Sequence, residues 1–97
     1  MHLQIPHTFS RDEAISRVQR LLIEAKPKLA DKVTIGEERW EGDVLHFAFT
    51  AQGQAISGKL EVKDKEFIVD AKLPFMMRMF EGKIEEMIQE QSKAMLK

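Results

Sequence analysis

The side chains that could do chemistry are few and scattered. His2, His7 and His46 are the only histidines. No HxH or HExxH spacing joins them, and no cysteine could complete a zinc tetrahedron, so no metal site is expected. Carboxylates are plentiful: Glu37, Glu38, Glu41, Asp43, Asp64, Asp70 and the glutamates near the C-terminus. Acid–base work needs a carboxyl held in an apolar pocket that shifts its pKa, and no pattern here sets one up. They read as a solvated face, with Glu86, Glu90 and Lys93 at neighbouring helix spacings. Ser57-Gly58 stands in an alternating segment and not in a G-x-S-x-G elbow. Gly36, Gly42, Gly53 and Gly58 form neither a dinucleotide fingerprint nor a phosphate loop. Neither an enzyme nor a cofactor is expected.

The remaining chemistry is adhesion. Leu73–Ile88, LPFMMRMFEGKIEEMI, holds four of the six methionines and two phenylalanines. Read as one helix from Pro74, at about 100° per residue, Met76, Met77, Phe80, Ile84, Met87, Ile88 and Met95 share a side and are expected in the core. Glu81, Glu85, Glu86, Glu90 and Lys93 lie off it. Phe75 and Met79 also lie off it, with Arg78 and Gly82 close by. These four are the candidate contact with a partner, an apolar surface or a second copy of the chain. Burying a large apolar side chain stabilises by roughly 1.5–3 kcal/mol, whereas association costs an estimated 4–15 kcal/mol. The Phe75/Met79 pair therefore contributes to a contact without sustaining one.

The elements that would position these residues follow from periodicity. Leu3 and Ile5 alternate with polar neighbours in a short first strand that Pro6 ends or places at an edge. Ser10 and Glu13 make a capping box, and Phe9 with Ala14 a hydrophobic staple. Ala14, Val18, Leu21, Leu22, Ala25 and Leu29 give one helical stripe, which Pro27 should stop or bend near Ala25. Four strands come next. Val33 and Ile35 lead toward Trp40, which should cap the core edge beside the turn Glu41-Gly42-Asp43. Leu45, Phe47 and Phe49 alternate in the third strand, and Ile56, Gly58, Leu60 and Val62 in the fourth after Gln52-Gly53. Phe67, Val69, Ala71 and Leu73 alternate after Lys63-Asp64-Lys65. Gly58 should let a helix approach or the sheet bend. Three short turns make an antiparallel meander. The fold class is α+β, in the order β-α-β-β-β-β-α: a five-stranded antiparallel sheet with both helices on one face and the first strand paired with the fifth. Such a sheet gripped by a long helix could also hold an apolar ligand in a pocket lined by Phe47, Phe49, Met77, Ile84 and Met87.

Composition sets the bounds. Ninety-seven residues, 43% hydrophobic and 32% charged, suit one folded domain over 1–97 and not a disordered chain. A net charge of -1 gives no field to attract nucleic acid. The opening MHLQIPHTFSRDEA lacks the basic and apolar regions of a signal peptide. No window approaches the roughly 20 apolar residues of a membrane span. A cytoplasmic location is expected.

Three segments carry a family resemblance: HTFSRDEAISRV (His7–Val18), WEGDVLHF (Trp40–Phe47) and the Leu73–Ile88 run, above all Gly82–Glu85. Together they span nearly the whole chain, in order. The sequence resembles the small bacterial polyhydroxyalkanoic acid system proteins, the polyhydroxyalkanoate granule region family. Met76 and Met77 stand where members often carry leucine, which keeps the site apolar. The family looks like one named for genes beside polymer synthesis and granule proteins, with no agreed biochemical activity. The resemblance implies a non-enzymatic accessory protein of polyester granules, in contact with the granule surface or a granule protein. A small hydrophobic-ligand carrier is the alternative.

Overall fold

The computed structural model describes residues 1–95, with side chains through residue 93. Five strands form one sheet: β1 (His2–Pro6), β2 (Val33–Glu41), β3 (Val44–Ala51), β4 (Gln54–Val62) and β5 (Glu66–Lys72). Every neighbouring pair is antiparallel, and the order across the sheet is β1-β5-β4-β3-β2. The first strand does pair with the fifth, Leu3 opposite Val69 and Ile5 opposite Phe67. Pro6 costs no ladder bond because β1 is an edge. At the β3–β4 hairpin, Gln52 and Gly53 both take positive φ, 54° and 76°. Those values belong to the primed turn that matches strand twist.

Register puts the alternating apolar sets on one face. Val62 faces Phe67, Leu60 faces Val69 and Leu45 faces Leu60. The opposite face carries Lys59, Asp70, His46 and Arg39. Strict alternation breaks once, in β2, where a bulge lies between Ile35 and Glu37. Without it, Ile35 and Trp40 would point to opposite faces, since five residues separate them. With it, Ile35 pairs Phe49 and Trp40 pairs Leu45 on the apolar side. Trp40 packs half-buried against the core, as its place beside the turn implies.

Helix α1 (Arg11–Leu29) crosses that apolar face. Ser10 caps it, its Oγ accepting from the Glu13 amide at 3.2 Å. Ala14 is fully buried and Val18 packs on the cluster of Ile5, Ala14, Val62 and Phe67. Pro27 does not stop the helix, which runs on to Leu29. The proline ring already has a helical φ, and in the last turn it forfeits only the bond to the Ile23 carbonyl. Ile23 is exposed, so water can take that carbonyl.

The C-terminal segment corrects the expectation of one continuous helix. It is a single turn, α2 (Phe75–Arg78), and then α3 (Glu81–Met95). The Phe80 amide bonds to the Met77 carbonyl at 3.0 Å, a tighter i→i−3 closure, and α3 begins from the Phe80 carbonyl. An angular count carried through that break misplaces the side chains on either side. Met76 and Phe80, expected in the core, are exposed, and so is Met87. Met77, Ile84 and Ile88 are half-buried. Met95, expected on the same stripe, lies outside the described side chains. Helix α3 packs on the edge strand β1, with Ile88 reaching the core cluster. Its inward face therefore carries polar groups beside Ile84 and Ile88. Gln89 donates to the Gln4 carbonyl at 3.5 Å, and Glu81 pairs with the Met1 amino group at 2.9 Å.

Candidate functional site

Two features stand out once the histidines are placed. His7 is buried. The Phe9 amide donates to its Nδ1 at 3.1 Å, and its Nε2 donates to the Lys63 carbonyl at 2.8 Å. The ring centroid sits 4.7 Å from that of Phe67. Both nitrogens are thus consumed in tying the N-terminal entry of α1 to the β4–β5 turn, and the ring is the neutral Nε2–H tautomer. His7→Ala is expected to cost about 2–4 kcal/mol in urea melts, from the void and two orphaned backbone groups. His2→Ala, at an exposed pair with Asp70, should melt close to wild type. The His2 imidazole holds the Asp70 carboxyl below its usual range. His46 stands on the polar face, across from Arg39 and Lys59. Among the described residues no three acidic or histidine side chains converge as metal ligands.

The first feature is a row of bare apolar side chains on α2 and α3. Phe75 and Met79 are each 79% exposed, the largest values among the big hydrophobic residues. Met76, Phe80 and Met87 are exposed as well. Phe75 and Met76 open α2, Met79 and Phe80 fall in the break between α2 and α3, and Met87 lies within α3. Gly82 leaves open space where a Cβ would stand. Arg78 is exposed and turns its Nε toward the Leu73 carbonyl, 3.4 Å away. The break between α2 and α3 is what adds Met76 and Phe80 to the pair recognised from periodicity. A proline followed by six residues with no capping side chain was the available signal for that break.

The second feature is a cavity of about 360 Å³ between α1 and the sheet. Its walls come from Val18, Leu21 and Leu22 of α1, Ile5 of β1, Leu60 of β4 and Phe67 and Val69 of β5. Among the described residues, Arg17, Arg20 and Ser92 supply its polar side chains. The pocket expected from the sequence lay elsewhere. None of Phe47, Phe49, Met77, Ile84 or Met87 lines this cavity. Phe47 and Phe49 instead stack on each other at 6.2 Å, toward the β2 side of the sheet, and Met87 faces out. The cavity forms because α3 sits over the sheet edge and leaves the groove beside α1 partly unfilled. Arg17 lies across the Phe9 ring, 4.0 Å from its centroid, and reaches Glu13 at 3.3 Å. Its Nε is buried and finds no hydrogen-bond partner among the described residues.

No helix among the described residues is long and apolar enough to cross a membrane. Searches of the curated proteins and of the solved structures return no match. A family profile does match, across residues 1–96, and its description reads "Putative polyhydroxyalkanoic acid system protein". With all but one residue covered, the chain belongs to that family, the polyhydroxyalkanoate granule region family.

Proposed function

We propose that this protein is a non-enzymatic, cytoplasmic accessory of polyhydroxyalkanoate metabolism that lays its α2–α3 surface against the storage granule, on the polymer itself or on a protein seated there. The observation that carries this reading is the row Phe75, Met76, Met79, Phe80 and Met87. Two such side chains fall short of the cost of association. Five, at roughly 1.5–3 kcal/mol each when buried, supply about 7–15 kcal/mol, which meets the estimated 4–15 kcal/mol. Charge argues for a neutral surface. Along α2 and α3 to residue 93, the carboxylates Glu81, Glu85, Glu86 and Glu90 outnumber Arg78, Lys83 and Lys93 by four to three. Helices that seek anionic lipid are rich in lysine and arginine on the polar face, and this one is not.

Co-sedimentation with polymer granules tests it. The wild-type protein should pellet with native granules, and pelleting with granules stripped of their own proteins would assign the contact to the polymer and not to a seated protein. Phe75→Ser/Met79→Ser should weaken that binding at least tenfold, as expected when several kcal/mol of burial are removed, with the melting temperature nearly unchanged because both side chains are already in water. Equal pelleting of the two proteins would sink the reading. A wild-type dimer that the double variant converts to monomer, with granule binding intact, would assign the row to a homodimer seam instead.

A second reading, a carrier of small apolar molecules, is supported by the cavity beside α1. Its volume lies within the roughly 300–1,000 Å³ of ligand sites. The two readings use different surfaces and are separable by mutation.

A further inference from the structure

We infer that Met76, Met79 and Met87 form an oxidation switch: their conversion to sulfoxides by a peroxide releases the α2–α3 surface from the granule, and reduction restores it. This rests on the granule reading. Three of the five bare apolar side chains on that surface are methionines, 68%, 79% and 59% exposed. Met77, beside them in sequence, is half-buried, and the Met1 side chain is shielded. The chain has no cysteine. A thiolate, the readier target of a peroxide, therefore does not compete, and the exposed thioethers are the sulfurs an oxidant meets.

A sulfur lone pair attacks one peroxide oxygen. The O–O bond breaks as the S–O bond forms, and the second oxygen leaves as water after proton transfer. Sulfur loses two electrons and the peroxide gains them. A reductase drawing on two thiols reverses the step, with water and a disulfide as products. The sulfoxide is a polar group with a strong acceptor oxygen. In the free protein that oxygen stands in water, because all three side chains are exposed, so the fold tolerates it. Against the granule it does not stand in water. A polyester offers ester oxygens, which accept hydrogen bonds and donate none, so a buried sulfoxide oxygen stays unpaired at a cost in free energy. Phe75 and Phe80 keep their apolar surface, but two such side chains fall short of the cost of association. Leucines would supply the same apolar area without responding to an oxidant. The residue type, beyond its apolarity, makes the switch.

Granule co-sedimentation of the full chain, reduced or treated with hydrogen peroxide that is removed before granules are added, tests this. Peptide mass spectrometry counts the sulfoxide at each methionine. Met76, Met79 and Met87 should oxidise at least about threefold faster than Met77. The triply oxidised protein should bind granules at least about a hundredfold more weakly, with its melting temperature nearly unchanged. Methionine sulfoxide reductases with a dithiol should restore binding. Met76→Leu/Met79→Leu/Met87→Leu should pellet like the reduced wild type and be indifferent to peroxide. The matching triple glutamine variant, close to the sulfoxide in size and polarity, should fail to pellet without any oxidant. A reduced protein that does not pellet would overturn the granule reading, and the switch with it, before peroxide is used. A reduced protein that pellets, with the triply oxidised protein pelleting equally, would overturn the switch alone. Peroxide sensitivity that survives the leucine substitutions would place the effect at other residues and overturn the inference, as would oxidation that starts at Met77.

Discussion

Gly58→Ala is expected to be among the most damaging single-atom additions to this protein, costing about 3 kcal/mol or more, at the upper end of overpacking effects. Gly58 lies in β4, paired with Phe47 of β3 on one side and Ala71 of β5 on the other. A Cβ built there would stand 2.7 Å from the Ala71 Cα and closer still to the Asp70 carbonyl oxygen. Both are main-chain atoms, so no rotamer change can relieve the clash. β4 cannot sidestep, because it is hydrogen-bonded on both edges. For a domain of this size each kcal/mol moves the melting temperature by about 4–8 °C, so a drop of about 12–24 °C is expected. Gly82→Ala is the control. Nothing lies within 4 Å of its would-be Cβ, and it sits in α3. Alanine there should stabilise by about 0.5–1 kcal/mol through helix propensity alone. Thermal melts that rank the two substitutions equally would mean that β4 and β5 are not as close as described.

The contrast between these glycines marks what could be read from the residues. The sequence pattern suggests that Gly58 makes room for a helix or a bend in the sheet, but what comes close is the neighbouring strand. Its place on the apolar face was visible in the alternation of Ile56, Leu60 and Val62; the identity of its neighbour was not, because register across a hairpin depends on turn geometry several residues away. The strands, the Ser10 cap and the pairing of β1 with β5 were legible for a simple reason. Alternation with period two, short turns and one free sheet edge leave few ways to close this chain. The bulge in β2 was legible in principle, since Ile35 and Trp40 are both apolar and an odd number of residues apart.

The candidate sites were less legible, and for a different reason. Phe75 and Met79 could be recognised because they fall outside any helical stripe that Ile84 and Ile88 define. Met76 and Phe80 could not, because their directions depend on a break whose i→i−3 bond at Phe80 shifts the helical count. Met87 was lost through rotation. With α3 set against β1, the face beside Gln89 and Ser92 turns inward, and Met87 is carried outward. The cavity was beyond reach of any periodicity. It is a space between α1, three strands and α3, set by where two helices stop short of each other, and no residue announces a missing neighbour.

Phe67→Ala should cost about 3–5 kcal/mol, the range for deleting a buried aromatic ring. A domain of about a hundred residues has only about 5–15 kcal/mol of stability to lose. Phe67 is buried, sits in the cluster with Ile5, Ala14 and Val62, and presents its ring to His7. On another side it walls the cavity beside α1. Removing the ring would therefore join a new void to an existing one, and the hydrogen-bonded backbones of β1, β4 and β5 limit how far the site can collapse. Part of the loss belongs to His7, whose ring would lose its closest aromatic neighbour. His7→Ala combined with Phe67→Ala should accordingly cost less than the two single changes added, by about 0.5–1.5 kcal/mol. Phe67→Leu, which keeps most of the hydrocarbon, should cost about 1–1.5 kcal/mol. If Phe67→Ala melts within about 1 kcal/mol of wild type, the core is not centred on this ring.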